Sequence, residues 1–245
     1  MVHPYVEKES IGAAYQKALD VALGHPSHLT IHISEPVASV SDVPESDSFD
    51  DWEDVLNLGP IYESYRDFVF SEDDSASSGG CSDSQNGCPS GRTGKDWIDT
   101  RIDEQFCGKF NAQSHDALQQ VKERLKQGGQ PGSWSNALVV QVYQSEDLDK
   151  ATSSFYAGSS CLTQMQFKIE HNKLNLFATF RSQYFDTKAY GNLIALAMLL
   201  ARVCQETGYE PGYLVETANN AILDDEGTAK ELRDEMLSAP AALDD

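Results

Sequence analysis

The sequence predicts an α+β domain, and three stretches carry that prediction. Residues 162–180 alternate apolar and polar side chains around a turn, the period-two pattern of a β-hairpin with one buried side. Residues 189–206 carry Leu193, Ile194, Leu196, Met198, Leu199, Leu200 and Val203, apolar on most of a helical circumference, so this helix belongs at the centre of the molecule. Residues 8–23 place Ile11, Ala14, Tyr15, Ala18, Leu19 and Ala22 at helical spacing, and residues 28–33 then alternate as a strand. With 245 residues, 40% of them hydrophobic, the chain can bury one sizeable core, so a single domain over residues 1–245 is expected.

Taken in order, the first helix is stopped by Gly24 and Pro26. His28, Thr30 and His32 share one face of the strand that follows. With no third ligand in reach by sequence, a solvated outer face accounts for them, and no metal is expected. Residues 36–54 are rich in serine and acid and read as a surface loop whose end Trp52 anchors. Apolar character returns over residues 56–70. Residues 71–95 are mostly Ser, Gly and Asp with almost nothing to bury, which predicts a disordered insertion. Its Cys81 and Cys88 are seven apart and lack the second pair a zinc knuckle needs. Ser114 is the expected N-cap of a helix with Ala117, Leu118, Val121 and Leu125 as its stripe and Gly128-Gly129 as its stop. Residues 138–143 form a short strand. In the hairpin, Leu162, Gln164, Gln166 and Lys168 are assigned to one face and Met165, Phe167 and Ile169 to the other, with the turn at His171-Asn172-Lys173. A last helical stretch is expected near residues 229–237.

Charge bounds the partners. The 39 acidic and 18 basic residues give a formal charge of −21, which repels nucleic-acid backbones and anionic membranes. No run approaches the ~18 apolar residues of a membrane helix, and Met1–Tyr5 has no basic-then-apolar leader pattern, so a cytoplasmic location is expected. Five cysteines, an odd number, do not look like a disulfide framework.

Chemistry concentrates in the hairpin. Cys161 opens it, Arg181-Ser182 closes it, and Asn192 stands near the start of the apolar helix. Were they to converge, the guanidinium would stabilise a thiolate, a nucleophile at neutral pH. Packing offers a second account of the same residues: a small core cysteine, an arginine at a strand end and an asparagine at a helix start.

These residues together resemble the thymidylate synthase and pyrimidine hydroxymethylase family. The resemblance rests on Ser160-Cys161, the strand with Met165-Gln166-Phe167, the return strand ending in Arg181-Ser182, and Asn192 ahead of a long helix. The blocks LGPIYESYRDF (58–68), LVVQVYQSEDLDK (138–150) and GYEPGYLVETANNAIL (208–223) resemble flanking segments of the family in the same order. The resemblance implies a thymidylate synthase-type fold, a mixed β-sheet packed with a long central helix, in a homodimer. It implies a pyrimidine nucleotide substrate and 5,10-methylenetetrahydrofolate as one-carbon donor. Cys161 would add to C6 of the ring, Arg181 would lower the thiol pKa and reach the phosphate, and Ser182, Tyr62 and Asp186 would contact substrate. Asn192 would match the N3–H and O4 edge of uracil, where cytosine-processing relatives carry Asp.

Several family positions depart. Ser135-Asn136-Ala137 replaces the paired phosphate arginines, and Gly24-His25-Pro26-Ser27 lacks the N-terminal one. Ile222 and Asp224 stand where the family grips the sugar with His and Tyr, Tyr184 replaces an Asp, and Glu63 is the nearest candidate base. The alternatives are therefore a pyrimidine nucleotide hydroxymethylase, or a non-catalytic homologue that binds a nucleotide or a protein.

The acidic surplus suits folding in concentrated salt, where screening removes self-repulsion. The melting temperature is expected to rise from dilute buffer to concentrated KCl; a thermal melt indifferent to salt would contradict this.

Overall fold

The computed structural model describes residues 4–44, 49–59, 112–127, 138–143 and 161–238. Tyr62, Glu63, the 71–95 insertion, residues 135–137 and Ser160 lie outside the described residues. The strands are β1 (Tyr5–Lys8), β2 (Leu29–Ile33), β3 (Val139–Gln141), β4 (Leu162–Glu170), β5 (Lys173–Phe180), β6 (Gln183–Tyr184), β7 (Glu210–Ala218) and β8 (Ala221–Ile222). The helices are α1 (Ile11–Ala22), α2 (Ala112–Lys126), α3 (Ala189–Thr207) and α4 (Glu226–Ser238), with a 3-10 turn at Phe49–Trp52. Six strands form one mixed sheet in the order β1-β2-β7-β5-β4-β3, and β6 pairs with β8 in a small ribbon beside it. β1–β2 and β5–β7 are parallel pairs, and the other three in the sheet are antiparallel.

Parallel neighbours require a crossover, and between β5 and β7 that crossover is α3. Its 19 residues span roughly 28 Å, about the length of the nine-residue strand β7 beside it. The helix packs on β5 and β7 with one side and on α1 and α2 with others, which is why its sequence is apolar almost all round. It ends where Gly208 turns left-handed at φ 80° and its N–H donates to the Cys204 carbonyl at 2.8 Å. No helix among the described residues is long and apolar enough to cross a membrane.

The expected elements are present with instructive shifts. α2 begins at Ala112, so Ser114 lies inside it rather than capping it. The hairpin turn is a two-residue one, with His171 at φ 51° and Asn172 at φ 67°, the left-handed pair of a type I′ turn, and Lys173 already belongs to β5. The described residues of the 36–54 stretch are not simply surface: Val37, Val43 and Trp52 are buried, and Trp52 anchors the segment as expected. β1 was invisible to periodicity because only Val6 of its four residues faces the core. His32, on the outer face of β2, lies between the rings of Tyr5 and Tyr213, with Nδ1 3.3 Å from Glu7. Among the described residues no three His, Cys, Asp or Glu side chains group as metal ligands.

Leu162 is the most informative shift. It is buried, on the face of Met165 and Phe167, whereas the alternation assigned it to the face of Gln164. The register explains this: Gln164 pairs with Thr179 but Leu162 pairs with Phe180, so one extra residue bulges out of β4.

The LGPIY block also finds a structural reason in its first two residues. The free N–H groups at the start of α1 are taken by carbonyls of this loop, Ile11 by Asn57 at 3.0 Å and Gly12 by Leu58 at 2.7 Å. Ser10 caps the same turn, accepting from Ala13 N–H at 3.4 Å. Gly59 follows at φ 64°, and a Cβ there would run into Ser10 Oγ and Cβ. Gly59→Ala is therefore expected to destabilise by roughly 2–5 kcal/mol, backbone strain plus overpacking. Gly208→Ala, at φ 80° with nothing within 4 Å of its Cβ, should cost only the strain, about 1–2 kcal/mol. Urea midpoints of the two variants check the order; equal shifts would contradict it.

Candidate active site

The bulge decides where Cys161 points. In a regular continuation of β4, residues 161 and 163 would share the buried phase of Met165 and Phe167. The inserted residue reverses the phase, burying Leu162 and bringing Cys161 opposite Arg181, whose N–H donates to the Cys161 carbonyl at 2.8 Å. Directly opposed residues hold their Cβ atoms about 5 Å apart on one face. The two backbones are thus cross-strand neighbours at the start of β4 and the exit of β5. Cys161 is half-buried, packed against the edge of the core. Cys204, on α3, differs: it is fully enclosed, and burial pushes its thiol up to about 12.

Asn192 arrives from the other side. It is the fourth residue of α3 and 3% exposed, and its Nδ2 donates to Gln183 Oε1 at 2.7 Å. Gln183, on β6 two residues beyond Arg181, is 2% exposed and donates through Nε2 to Glu216 Oε1 at 2.9 Å. Glu216 lies on β7, 1% exposed, with Ile31 and Ala178 as its registered neighbours on the flanking strands. At the end of this chain on α3, Asn192 Oδ1 is buried and has no hydrogen-bond partner among the described residues. An orphaned buried acceptor costs about 1–3 kcal/mol, so such a position calls for an explanation.

The structure therefore brings Cys161, Arg181, Ser182 and Asn192 to one end of the sheet, on the β4 start, the β5 exit and the first turn of α3. Ser182 is half-buried between Arg181 and Gln183. Asp186, expected among the substrate ligands, is committed to the backbone. Its carboxylate accepts the N–H of Asp224, at 3.0 and 2.9 Å to its two oxygens, and that of Asp225 at 2.8 Å. It pins the turn leading into α4, where the Asp225 carboxylate in turn caps Thr228 N–H at 2.6 Å and is held below the usual range by that bond. Ile222 is half-buried in the ribbon and Asp224 is exposed. Gln183 and Glu216 were not singled out from the sequence. The signal for Glu216 is a carboxylate at a core position of the alternation Gly212, Leu214, Glu216, Ala218.

Comparison with known families gives one match. The thymidylate synthase family profile aligns with residues 42–234, from the loop before Trp52 into α4, and takes in Cys161, Arg181, Ser182 and Asn192. No individually curated protein matches the chain. The family match covers well over half of the sequence, and the fold beneath it is a mixed sheet carrying a long buried crossover helix. The chain belongs to the thymidylate synthase family, a family of one-carbon transferases.

Proposed function

We propose that this chain transfers a one-carbon unit to C5 of a uracil nucleotide through a covalent adduct between Cys161 and C6 of the ring. One observation carries the reading. The strand bulge sets the backbone of Cys161 opposite Arg181, two residues before Gln183, to which the buried amide of Asn192 is bonded with its oxygen unpartnered among the described residues.

The chemistry follows from the residue types. Unaided C5 of uracil is a poor nucleophile. Addition of a thiolate to C6 moves the ring's electron pair toward C5 and O4, which splits one difficult substitution into two easier steps. A guanidinium beside the thiol favours its ionised form, and Arg181 also suits a phosphate, with Ser182 as a neutral donor. Asn192 Oδ1 would accept the imide N3–H, and the second Nδ2 hydrogen would serve O4 as charge gathers there. Asp186 drops out of the proposed ligand set because its oxygens are engaged by the 224–225 backbone. Tyr62 stays in the set on family resemblance.

Methylenetetrahydrofolate, which the family implies, would supply the carbon and, for a methyl product, the hydride. The polar groups described at this end of the sheet, a thiol, a cation and an acceptor, fit the pyrimidine rather than the pterin. A homodimer is part of the proposal on the same family grounds. A second reading, a homologue that binds a nucleotide without turnover, is favoured by Ile222 and Asp224. A half-buried isoleucine has no polar group for a sugar hydroxyl, and Asp224 offers neither imidazole nor phenol.

The test is release of tritium from C5-labelled dUMP in the presence of methylenetetrahydrofolate. Release is expected from the native chain, none from Cys161→Ser, and a loss on the order of a hundredfold from Arg181→Ala. Dihydrofolate absorbance accompanying release identifies a methyl product, and release without it a hydroxymethyl one. Native release no greater than that of Cys161→Ser would overturn the enzymatic reading and leave the binding one.

A further inference from the structure

Glu216 plays no part in the chemistry above, yet it is a carboxylate 1% exposed at a core position of β7. Its side chain belongs to the face of β7 that buries Leu214 and Ala218, flanked in register by Ile31 and Ala178. A carboxylate so placed is costly to bury unless its oxygens are hydrogen-bonded, and an apolar residue of similar size would be cheaper there. Gln183 Nε2 donates to it, and through Gln183 it reaches Asn192.

The direction of that chain is the point. An ionised carboxylate only accepts hydrogen bonds. Gln183 must therefore turn its amide nitrogen toward Glu216, at 2.9 Å, which leaves Gln183 Oε1 facing α3. Facing that oxygen, Asn192 must present its own nitrogen, at 2.7 Å, so the carbonyl oxygen of Asn192 becomes the outward end. That oxygen is buried and has no hydrogen-bond partner among the described residues. Without the carboxylate either amide could rotate by half a turn and the free end could equally be a donor.

We infer that Glu216 and Gln183 are positioning residues that lock Asn192 as a hydrogen-bond acceptor, and so select a ring whose facing edge carries an N–H. This rests on the reading of Asn192 as the base-facing residue. Uracil, with its N3–H, satisfies the locked oxygen. Cytosine sets a bare N3 lone pair against it, leaving two acceptors face to face in a buried site. A site built around one such bond rejects the mismatched ring strongly. Base choice is then a property of a chain across three elements, β7, β6 and α3, and not of Asn192 alone.

The experiment compares equilibrium binding of dUMP and dCMP to the native chain, to Glu216→Gln and to Gln183→Met, alongside the side-chain amide NMR signals of Asn192. Glu216→Gln is isosteric, and circular dichroism checks that it folds; Gln183→Met breaks the middle link by a different route. The native chain is expected to prefer dUMP on the order of a hundredfold. Both variants should reduce that ratio by at least about tenfold, mainly by gaining dCMP affinity, and should shift the Asn192 Nδ2 signals. A ratio unchanged in either folded variant overturns the inference, because a merely structural role for Glu216 would change stability and leave base choice intact. If the native chain binds neither nucleotide, the site reading itself fails. The positioning role then stands if Glu216→Gln moves the Asn192 signals and falls if it does not.

Discussion

In a β-strand one added residue reverses every side chain beyond it, and the candidate site depends on one such residue in β4. Between Gln164 and Leu162 the pairing with β5 slips by one, and the phase that buries Met165 and Phe167 passes to Leu162. Cys161, half-buried, lies across from Arg181. The slip is held firmly. The Thr163 carbonyl accepts N–H groups from both Val142 and Tyr143, at 2.9 and 3.0 Å, and its hydroxyl donates to the Thr179 carbonyl at 2.8 Å. An irregularity this well bonded is a designed feature of the strand.

Around it the fold separates scaffold from site by how buried polar groups are spent. Among the described residues Ser10 caps α1, Asn175 accepts the N–H of Tyr213, and Asp186 holds the turn before α4. Each of these accepts from the backbone. Gln183 instead bonds both Glu216 and Asn192, and the Asn192 oxygen has no partner among the described residues. Consistent local choices specify a fold, and the place where they break is where a ligand is to be sought. α3 links the two halves: its apolar body is the centre of the core, and its first turn delivers Asn192.

Much of the scaffold was legible in the sequence because it rests on local periodicity. The hairpin, α1, β2, the central helix and the C-terminal helix all announce themselves in the spacing of apolar residues. What was hidden depends on tertiary pairing. Leu162 was put on the wrong face because alternation cannot register a bulge that only the partner strand defines. Residues 36–54 look like solvent-facing loop by composition, but three large side chains among them, Val37, Val43 and Trp52, close the core. Cys161, Arg181 and Asn192 could be singled out by residue type and spacing, and the structure places them at one end of the sheet. Asp186 was named on the family resemblance alone, and its partners are backbone groups 38 and 39 residues away. Glu216 escaped because a glutamate is read as a surface residue unless the strand around it is known.

The most direct measurement is the mass of the chain after incubation with 5-fluoro-dUMP and methylenetetrahydrofolate, since fluorine at C5 cannot leave as a cation and an adduct at C6 would persist. The account predicts one nucleotide bound covalently, recovered on the peptide that contains Cys161. Unmodified protein, or an adduct on any other cysteine, would contradict it.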